Sequence, residues 1–300
     1  MFKNITNWLS NKPRHVIGTR ALQICIGCSL LFRVSTEIPF ARYLWGVDGI
    51  GYGSTQWIFG KTVGFYLDQL YTSMIGVYFI LSMLTLGSVF LVFNVKTRLA
   101  SLLMLFGVFI LEQRLPDIND GGDNITRLIL IYSLLLASNT KILYSGRLKT
   151  WIHNVGVIAI KFQIIIMYFT SGFMKATGEK WYNGTAMYHI SNVEWFSLPG
   201  FRDLFLNPIV TTIGSYIPMI FMLMFPIAIF SRLKLFWIFI GILLHLSIMF
   251  FMGLITFSTV MIGMELFIIN DKEYKIIKSY YNHILTKVKY LSLKLTSIVK

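Results

Sequence analysis

The chain has 300 residues, of which 55% are hydrophobic and only 13% are charged. In soluble proteins roughly a quarter of all residues are charged. A soluble fold of this composition could not cover its surface with polar groups. A formal net charge of +14 would suit nucleic-acid binding, but the basic residues lie between apolar runs and near the C-terminus. Composition therefore excludes a soluble domain, predicts no nucleic-acid partner and indicates an all-α integral membrane protein in a lipid bilayer.

Apolar runs of membrane-spanning length dominate the chain. A helix needs about 20 mostly apolar residues to cross a bilayer. Residues 1–14 are amphipathic, so an interfacial helix is predicted before the first run. The predicted spans, about eight, are Ile17–Ile38, Ser73–Phe93, Leu99–Glu112, Ile125–Leu143, Val155–Met174, Pro208–Ser231, Leu235–Met252 and Leu254–Ile269. The third run is short, and the last two could form a tilted or re-entrant pair, which would leave seven crossings.

The charges predict an orientation. If the N-terminus is cytoplasmic and eight spans follow, most lysines and arginines fall on the inner side and most acids fall outside. This asymmetry matches the positive-inside rule, so both termini are predicted to be cytoplasmic. Residues 271–300 carry apolar residues at helical spacing between lysines, which is typical of a basic amphipathic helix on the inner leaflet. The alternative is a docking helix for a partner. We therefore predict a transmembrane domain, 1–270, and a basic tail, 271–300.

Ionisable residues inside apolar spans are costly and indicate functional sites. Lys175 ends the fifth span, where it could act as a base or simply extend its ammonium group to the lipid headgroups. Glu179 follows it closely. His245 lies within the seventh span and could carry a proton, contact a cofactor, or pack as a neutral residue. Lys175, Glu179 and His245 are the candidate catalytic residues.

Other ionisable and sulfur-containing residues receive different predictions. Arg33 and Glu37 are four residues apart on the first span and are predicted to pair along one helix face. Glu265, in the last span, has no partner evident from the sequence. Cys25 and Cys28 lie inside an apolar run and are predicted to be small buried residues rather than a redox or metal site.

Three outer loops are long enough to hold a site, at residues 41–71, 113–124 and 175–207. The second contains Asp120 and Asp123 around two glycines, but the spacing of a calcium loop is absent, and no metal site is predicted. Asp123 or Asn124 is the predicted N-cap of the following helix. In the third loop, Trp181 and Tyr182 suit an interfacial aromatic anchor or a substrate contact.

Several segments resemble the SdpB-like family, membrane components of bacterial antimicrobial-peptide (sporulation-delaying protein) systems. These segments are KWYNGTAMYH at 180–189, FSLPGF at 196–201, LNP at 206–208, LLHLSIMFFMGLITFSTVMI at 243–262 and DGGDNITRL at 120–128. That family is in turn similar to the transmembrane (HTTM) domain of vitamin K-dependent gamma-carboxylases. The YF-x-x-G-x-x-K run at 168–175 looks like the carboxylase segment that holds the catalytic lysine, which would correspond to Lys175. The carboxylase Asn-His pair falls at Asn124 and Ile125, so its histidine is missing here.

The resemblance implies a role in maturing a secreted peptide toxin from its precursor at the bacterial cell membrane, together with a small SdpA-like partner protein. Whether this chain would be the catalytic subunit or a scaffold is left open. An HTTM-type enzyme that uses a membrane quinone as its cofactor is the second hypothesis, and a peptide transporter or immunity protein is the third. The residues expected to bind substrate are Asp120, Asp123, Asn124, Trp181 and Tyr182.

Overall fold

The computed structural model describes residues 2–51, 53–137, 146–194, 197–198 and 200–298, and every regular element in these ranges is helical. The α-helices are α1 (Phe2–Ser10), α2 (Val16–Glu37), α3 (Ala41–Trp45), α4 (Gln56–Thr72), α5 (Met74–Val92), α6 (Thr97–Arg114), α7 (Gly121–Ser133), α8 (Arg147–Thr177), α9 (Glu179–Tyr182), α10 (Ala186–Ser191), α11 (Phe201–Leu204), α12 (Pro208–Ala228), α13 (Lys234–Met252), α14 (Ile255–Ile268) and α15 (Asp271–Ile298). The predicted all-α class is confirmed.

Five helical segments in the described part of the chain are long and apolar enough to cross a membrane. They are Val16–Trp45, Met74–Val92, Arg147–Thr177, Pro208–Ala228 and Lys234–Met252. At 1.5 Å per residue, a helix of 19 residues matches a hydrocarbon layer of about 30 Å. The chain is therefore a multi-pass helical membrane protein.

The predicted count of eight spans is not confirmed. Helix α6 carries Arg98, Glu112 and Arg114, which lower its mean hydropathy, and α14 has only 14 residues. Helix α7 begins four residues before the predicted span at Ile125 and ends at Ser133. The C-terminal part of that predicted span, from residue 138, lies outside the described residues.

The first predicted outer loop, residues 41–71, is largely helical instead. Helices α3 and α4 occupy most of it, with a kink at Gly60, where φ is 77°. Helix α4 packs on α5 and leaves Trp57 and Tyr66 exposed. The sequence did not indicate a helix here, because α4 is too polar to be recognised as a span; the connection itself remains a predicted outer loop.

Helix α14 forms the centre of the bundle. It packs against α2, α13 and α7, and Val260, Met264 and Phe267 are buried in these contacts. The second close pair is α8 with α12, where Gly172 lies so near the backbone of Met222 that a β-carbon would contact it at 3.0 Å. Small residues allow this approach between membrane helices.

His15 and Asp271 tie the start of α2 to the end of α14 and the start of α15. His15 adopts a left-handed conformation with φ of 52°, and its Nδ1–H donates to the carbonyl of Phe267 at 2.9 Å. The carboxylate of Asp271 accepts hydrogen bonds from the N–H groups of Val16 and Ile17. The first turn of α2 is therefore capped by a residue that begins α15.

This arrangement makes stability sensitive to acid. Burial, followed by the charge of Lys161, lowers the pKa of His15 to about 4 from an ordinary value of 6.5. Because the unfolded chain takes up a proton at higher pH than the folded chain, the folded state should lose stability as pH falls from about 6.5 towards 4. We expect a loss of up to about 3 kcal/mol, measured as the free energy of unfolding in mixed micelles.

The control for this prediction is His15→Asn, because asparagine tolerates the left-handed conformation and its amide can donate to Phe267 but does not titrate. The variant should show a flatter dependence on pH over the same interval. An identical slope in both proteins would show that another group is responsible.

Candidate functional site

A largely apolar cavity of about 540 Å³ opens beside the N-terminal half of α12 and the C-terminal half of α13; we call it the chamber. Its volume falls in the range typical of ligand pockets, about 300–1,000 Å³. Apolar side chains from α10 to α14 form most of its wall. Within the part of the chain that the structure describes, Lys175 is the one ionisable residue that lines it.

Helix α12 forms one side of the chamber and presents small side chains there. Gly214 and Pro218 both line the cavity, and neither presents a bulky side chain. Proline also removes one backbone hydrogen bond inside the helix. Gly214 lets Phe205 and Met187 pack directly on α12, because a β-carbon there would lie 2.7 Å from the Phe205 ring.

Lys175 lies on the last turn of α8 and is half-buried. Its Nζ atom is 4.7 Å from the centroid of the Trp181 ring, a distance at which a cation is attracted to the face of an aromatic ring. Among the described residues, no carboxylate forms an ion pair with it. Its predicted position at the end of the fifth span is confirmed by its place in the last turn of α8, while the side of the membrane and its chemical role stay predictions.

A second cavity of about 430 Å³ shares Trp181 and Ile190 with the chamber. The other residues that line it are Lys180, Ala186, His189 and Val193. Trp181 therefore forms part of the wall between the chamber and this second cavity. No carboxylate of the described chain lines either cavity, so both are neutral or positive.

A third cavity, of about 240 Å³, lies at the same end of the bundle; we call it the acidic pocket. Residues from α2, the start of α7 and the start of α14 line it, including Arg33, Glu37, Asp120 and Asp123. Arg33 forms two ion pairs, from Nε to Glu37 at 2.8 Å and from Nη1 to Asp123 at 2.6 Å. The predicted pairing of Arg33 with Glu37 is confirmed, and Asp123 is an additional partner that the sequence did not indicate.

The two aspartates of this pocket also begin α7. The side chain of Asp120 accepts hydrogen bonds from the N–H groups of Gly122 and Asp123, and the Asp123 carboxylate accepts one from the N–H of Asp120. This reciprocal pattern is a capping box. The N-cap is therefore Asp120, so the predictions of Asp123 or Asn124 were wrong. Burial, reinforced by the charge of Asp123, raises the pKa of Asp120 above its usual value.

Replacing the N-cap should separate its structural role from its charge. Asp120→Ala removes an acceptor for two N–H groups and should lower the free energy of unfolding by about 1 kcal/mol. Asp120→Asn keeps an acceptor oxygen and should cost much less. Unfolding in mixed micelles would measure both, with exposed Asp48→Ala as the control. Equal losses for the alanine and asparagine variants would contradict the capping role.

His245 lies in a buried polar cluster rather than in the lining of the chamber. Its Nδ1 atom is 3.0 Å from Oε1 of Glu265, and the hydroxyl of Tyr168 donates to the same oxygen at 2.7 Å. His245 and Glu265 have no exposed surface, and Tyr168 is 1% exposed. The missing partner of Glu265 is thus supplied by α8 and α13. In the sequence, this cluster could be recognised only by ionisable or phenolic residues that lie within apolar runs.

The remaining predicted site residues lie outside both the chamber and the acidic pocket. Glu179 and Tyr182 are exposed, and the Tyr182 carbonyl accepts a hydrogen bond from the hydroxyl of Tyr216. Asn124 is also exposed, and its side-chain oxygen accepts from Arg127 at 2.9 Å. The structure thus brings Lys175 and Trp181 together, brings Asp120 and Asp123 together, and leaves these three on the surface. Their roles in catalysis or substrate binding stay predictions.

No cluster of metal-binding side chains is found in the described ranges. Cys25 is half-buried against α14 near Gly263, and Cys28 is exposed. The prediction that both cysteines are buried is therefore correct only in part, because Cys28 lies on the outer surface of α2.

Comparison with known proteins gives one partial similarity. No family model matches the chain, and no solved structure matches it. The chain is similar to the uncharacterized protein YitO of Bacillus subtilis (strain 168), with 30% identity over 115 residues. The aligned part covers 36% of this chain and 37% of that relative. A match of this extent does not establish a family, so the resemblance to the SdpB-like and HTTM groups enters below as a proposal.

Proposed function

We propose that this chain is a membrane component required to mature a secreted antimicrobial peptide toxin from its precursor, acting with a small SdpA-like partner protein. The observation that carries the proposal is the chamber, an apolar cavity that contains one lysine and no carboxylate in the described chain. Lys175 also belongs to the segment that resembles the catalytic segment of gamma-carboxylases. In the absence of an acidic partner, its amine is available for substrate.

The relation between the chamber and the acidic pocket supports a peptide substrate. The α13–α14 connection separates them: Leu254 and Phe257 line the chamber, while Gly253 and Ile255 line the acidic pocket. A peptide with an apolar segment and a neighbouring cationic residue would satisfy both cavities at once. Asp120 and Asp123 would then attract the cation, and the chamber would hold the apolar segment.

The orientation belongs to the same proposal. Eight crossings with both termini in the cytoplasm would place the chamber and the acidic pocket at the outer face of the bacterial cell membrane. The strongly basic inner segments support this orientation through the positive-inside rule. The basic helix α15 would then lie against the anionic inner leaflet.

The second candidate function is an HTTM-type membrane enzyme that uses a quinol. The apolar lining of the chamber favours it, because an isoprenoid quinol needs an apolar site reached from the membrane. Mass spectrometry of lipids extracted from the purified protein tests this candidate. A quinone bound in stoichiometric amount would support it, and a quinone-free protein with full activity would reject it.

The deciding experiment is the intact mass and potency of the secreted peptide from a producer strain that lacks this gene. Loss of mature peptide, restored by the wild-type gene, would support maturation. A peptide unchanged in mass and potency would reject it. Protection of a naive cell by this chain alone would then favour an immunity protein, and retention of mature peptide inside the deletion strain would favour a transporter.

A further inference from the structure

Three fully buried polar side chains meet near the middle of the bundle: Tyr168 of α8, His245 of α13 and Glu265 of α14. Glu265 Oε1 accepts from the Tyr168 hydroxyl at 2.7 Å and lies 3.0 Å from Nδ1 of His245. The Tyr168 ring packs against Phe225, with 4.4 Å between centroids, and against Phe221. Polar residues at such a position are costly and indicate function by default.

The contacts of the imidazole define its tautomer. Nδ1 lies 2.9 Å from the carbonyl oxygen of Gly241 and 3.0 Å from Glu265 Oε1. Both of these atoms are acceptors, so Nδ1 carries the hydrogen and donates to them. Nε2 therefore keeps its lone pair. In the described residues, neither Nε2 of His245 nor Oε2 of Glu265 has a hydrogen-bond partner, although both atoms are buried.

Gly241 makes this geometry possible. The carboxyl group of Glu265 occupies the space in which a β-carbon of residue 241 would stand. Any larger residue would move the carboxylate away from Nδ1. The sequence thus combines a glycine and a histidine one turn apart on α13 with an acid on α14.

The charge of the cluster changes with one proton. With an ionised Glu265 and a neutral His245, the cluster carries one net negative charge in a dry interior, which costs several kcal/mol. One more proton makes it neutral overall, as an imidazolium–carboxylate pair. Glu265 and Tyr168 are the titratable groups seen in contact with His245 in the described chain.

We propose that Tyr168, Glu265 and His245 form a proton-binding site in the membrane interior. Nε2 of His245 takes up and releases the proton, and Glu265 and Tyr168 are positioning residues that hold the imidazole. Proton uptake forms the Nε2–H bond from the nitrogen lone pair. The group that gives up the proton keeps the electron pair of the broken bond. The carboxylate of Glu265 balances the charge of the imidazolium.

The site adjoins the chamber. Leu244, the residue before His245, lines the chamber, and so does Phe257, whose ring centroid is 5.9 Å from that of His245. A proton passing between Nε2 and an N–H or O–H group of a substrate in the chamber would have to cross this layer of side chains, because His245 itself does not line the cavity. This use of the site rests on the proposed function, whereas proton binding itself does not.

Infrared difference spectra of the purified protein in lipid nanodiscs, recorded from about pH 5 to 9, test proton binding directly. We expect an imidazole signal and a carboxyl signal from the wild type that change together. Glu265→Gln keeps an acceptor for Nδ1–H and for the Tyr168 hydroxyl. It should abolish the carboxyl signal, so that the imidazole signal no longer changes together with one. A wild-type spectrum identical to that of His245→Asn, which leaves the other four histidines in place, would overturn the proposal.

Tyr168→Phe tests the positioning role. It keeps the packing against Phe221 and Phe225 and removes one hydrogen bond to a charged group, so the midpoint of the titration should move by about one pH unit. Tyr132→Phe is the matched control, because its hydroxyl bonds to Gln163 outside the cluster. A shift of equal size in both variants, or in neither, would overturn the role of Tyr168.

The role of the site in peptide maturation is tested by a separate experiment. Production of mature peptide by Glu265→Gln should fall at least tenfold and lose its dependence on external pH, while the protein stays in the membrane. If deleting the gene leaves the peptide unchanged, the proposed function fails, and the infrared titration still decides the proton site. If the titration fails while deletion abolishes maturation, only the proton site is rejected.

Discussion

Lys175→Met is expected to reduce mature peptide at least about 100-fold while the protein still inserts in the membrane. Methionine fills the same apolar space in the chamber but cannot exchange a proton or bind an anionic group, and a general acid or base contributes about 10²–10⁴-fold to a rate. Quantitative mass spectrometry of the secreted peptide measures the effect. An immunoblot of the membrane fraction measures insertion.

Lys61→Met is the matched control, because it makes the same chemical change at an exposed position of α4. It should leave the peptide yield within about twofold of wild type, since a substitution outside the site should not approach the loss of a general acid or base. Wild-type yield from Lys175→Met would remove Lys175 from the site, and the chamber would lose its one candidate for chemistry.

Arg33→Leu is expected to give the largest loss of stability in the described chain. The substitution leaves Glu37 and Asp123 partly buried at the acidic pocket without their cation. Removal of one partner of a buried ion pair costs about 3–5 kcal/mol, because the remaining charge stays desolvated. Unfolding in mixed micelles, followed by circular dichroism, measures the change.

A triple variant tests the electrostatic cause of this loss. Arg33→Leu combined with Glu37→Gln and Asp123→Asn removes the cation and both carboxylates, and the new amide at position 123 keeps an acceptor oxygen for the N–H of Asp120. It should recover most of the stability lost in the single variant. No recovery would mean that Arg33 stabilises the bundle through packing of its aliphatic chain.

The helices with the strongest apolar runs can be predicted from the sequence almost to the residue. The sequence predicts α2 at Ile17–Ile38, and it is found at Val16–Glu37; it predicts α5 at Ser73–Phe93, and it is found at Met74–Val92. In lipid, such a run must form a helix, because every backbone N–H and C=O group has to be hydrogen-bonded within the segment. Helix α4 was not predicted, because it is too polar to be recognised from an apolar run.

The site was predictable only where a residue was unusual by itself. Lys175 and His245 stand out as ionisable residues in apolar surroundings. The structure places Lys175 in the wall of the chamber beside the C-terminal half of α13, and His245 on α13 itself. Their partners could not be found in the same way. Tyr168 and Glu265 are 97 positions apart in the chain, and Asp123 reaches Arg33 only because α7 begins with a capping box beside α2.

The burial of α14 has a consequence for biogenesis. A helix of 14 residues is about 21 Å long, shorter than a hydrocarbon layer of about 30 Å, so as a crossing it needs other helices around it, and Glu265 raises its cost in lipid further. It is stable chiefly against α2 and α13, so it must dock after both have entered the membrane. The centre of the bundle is therefore completed late in synthesis, and a nascent chain stalled before α14 would expose the unpaired faces of α2 and α13 to membrane quality-control proteases.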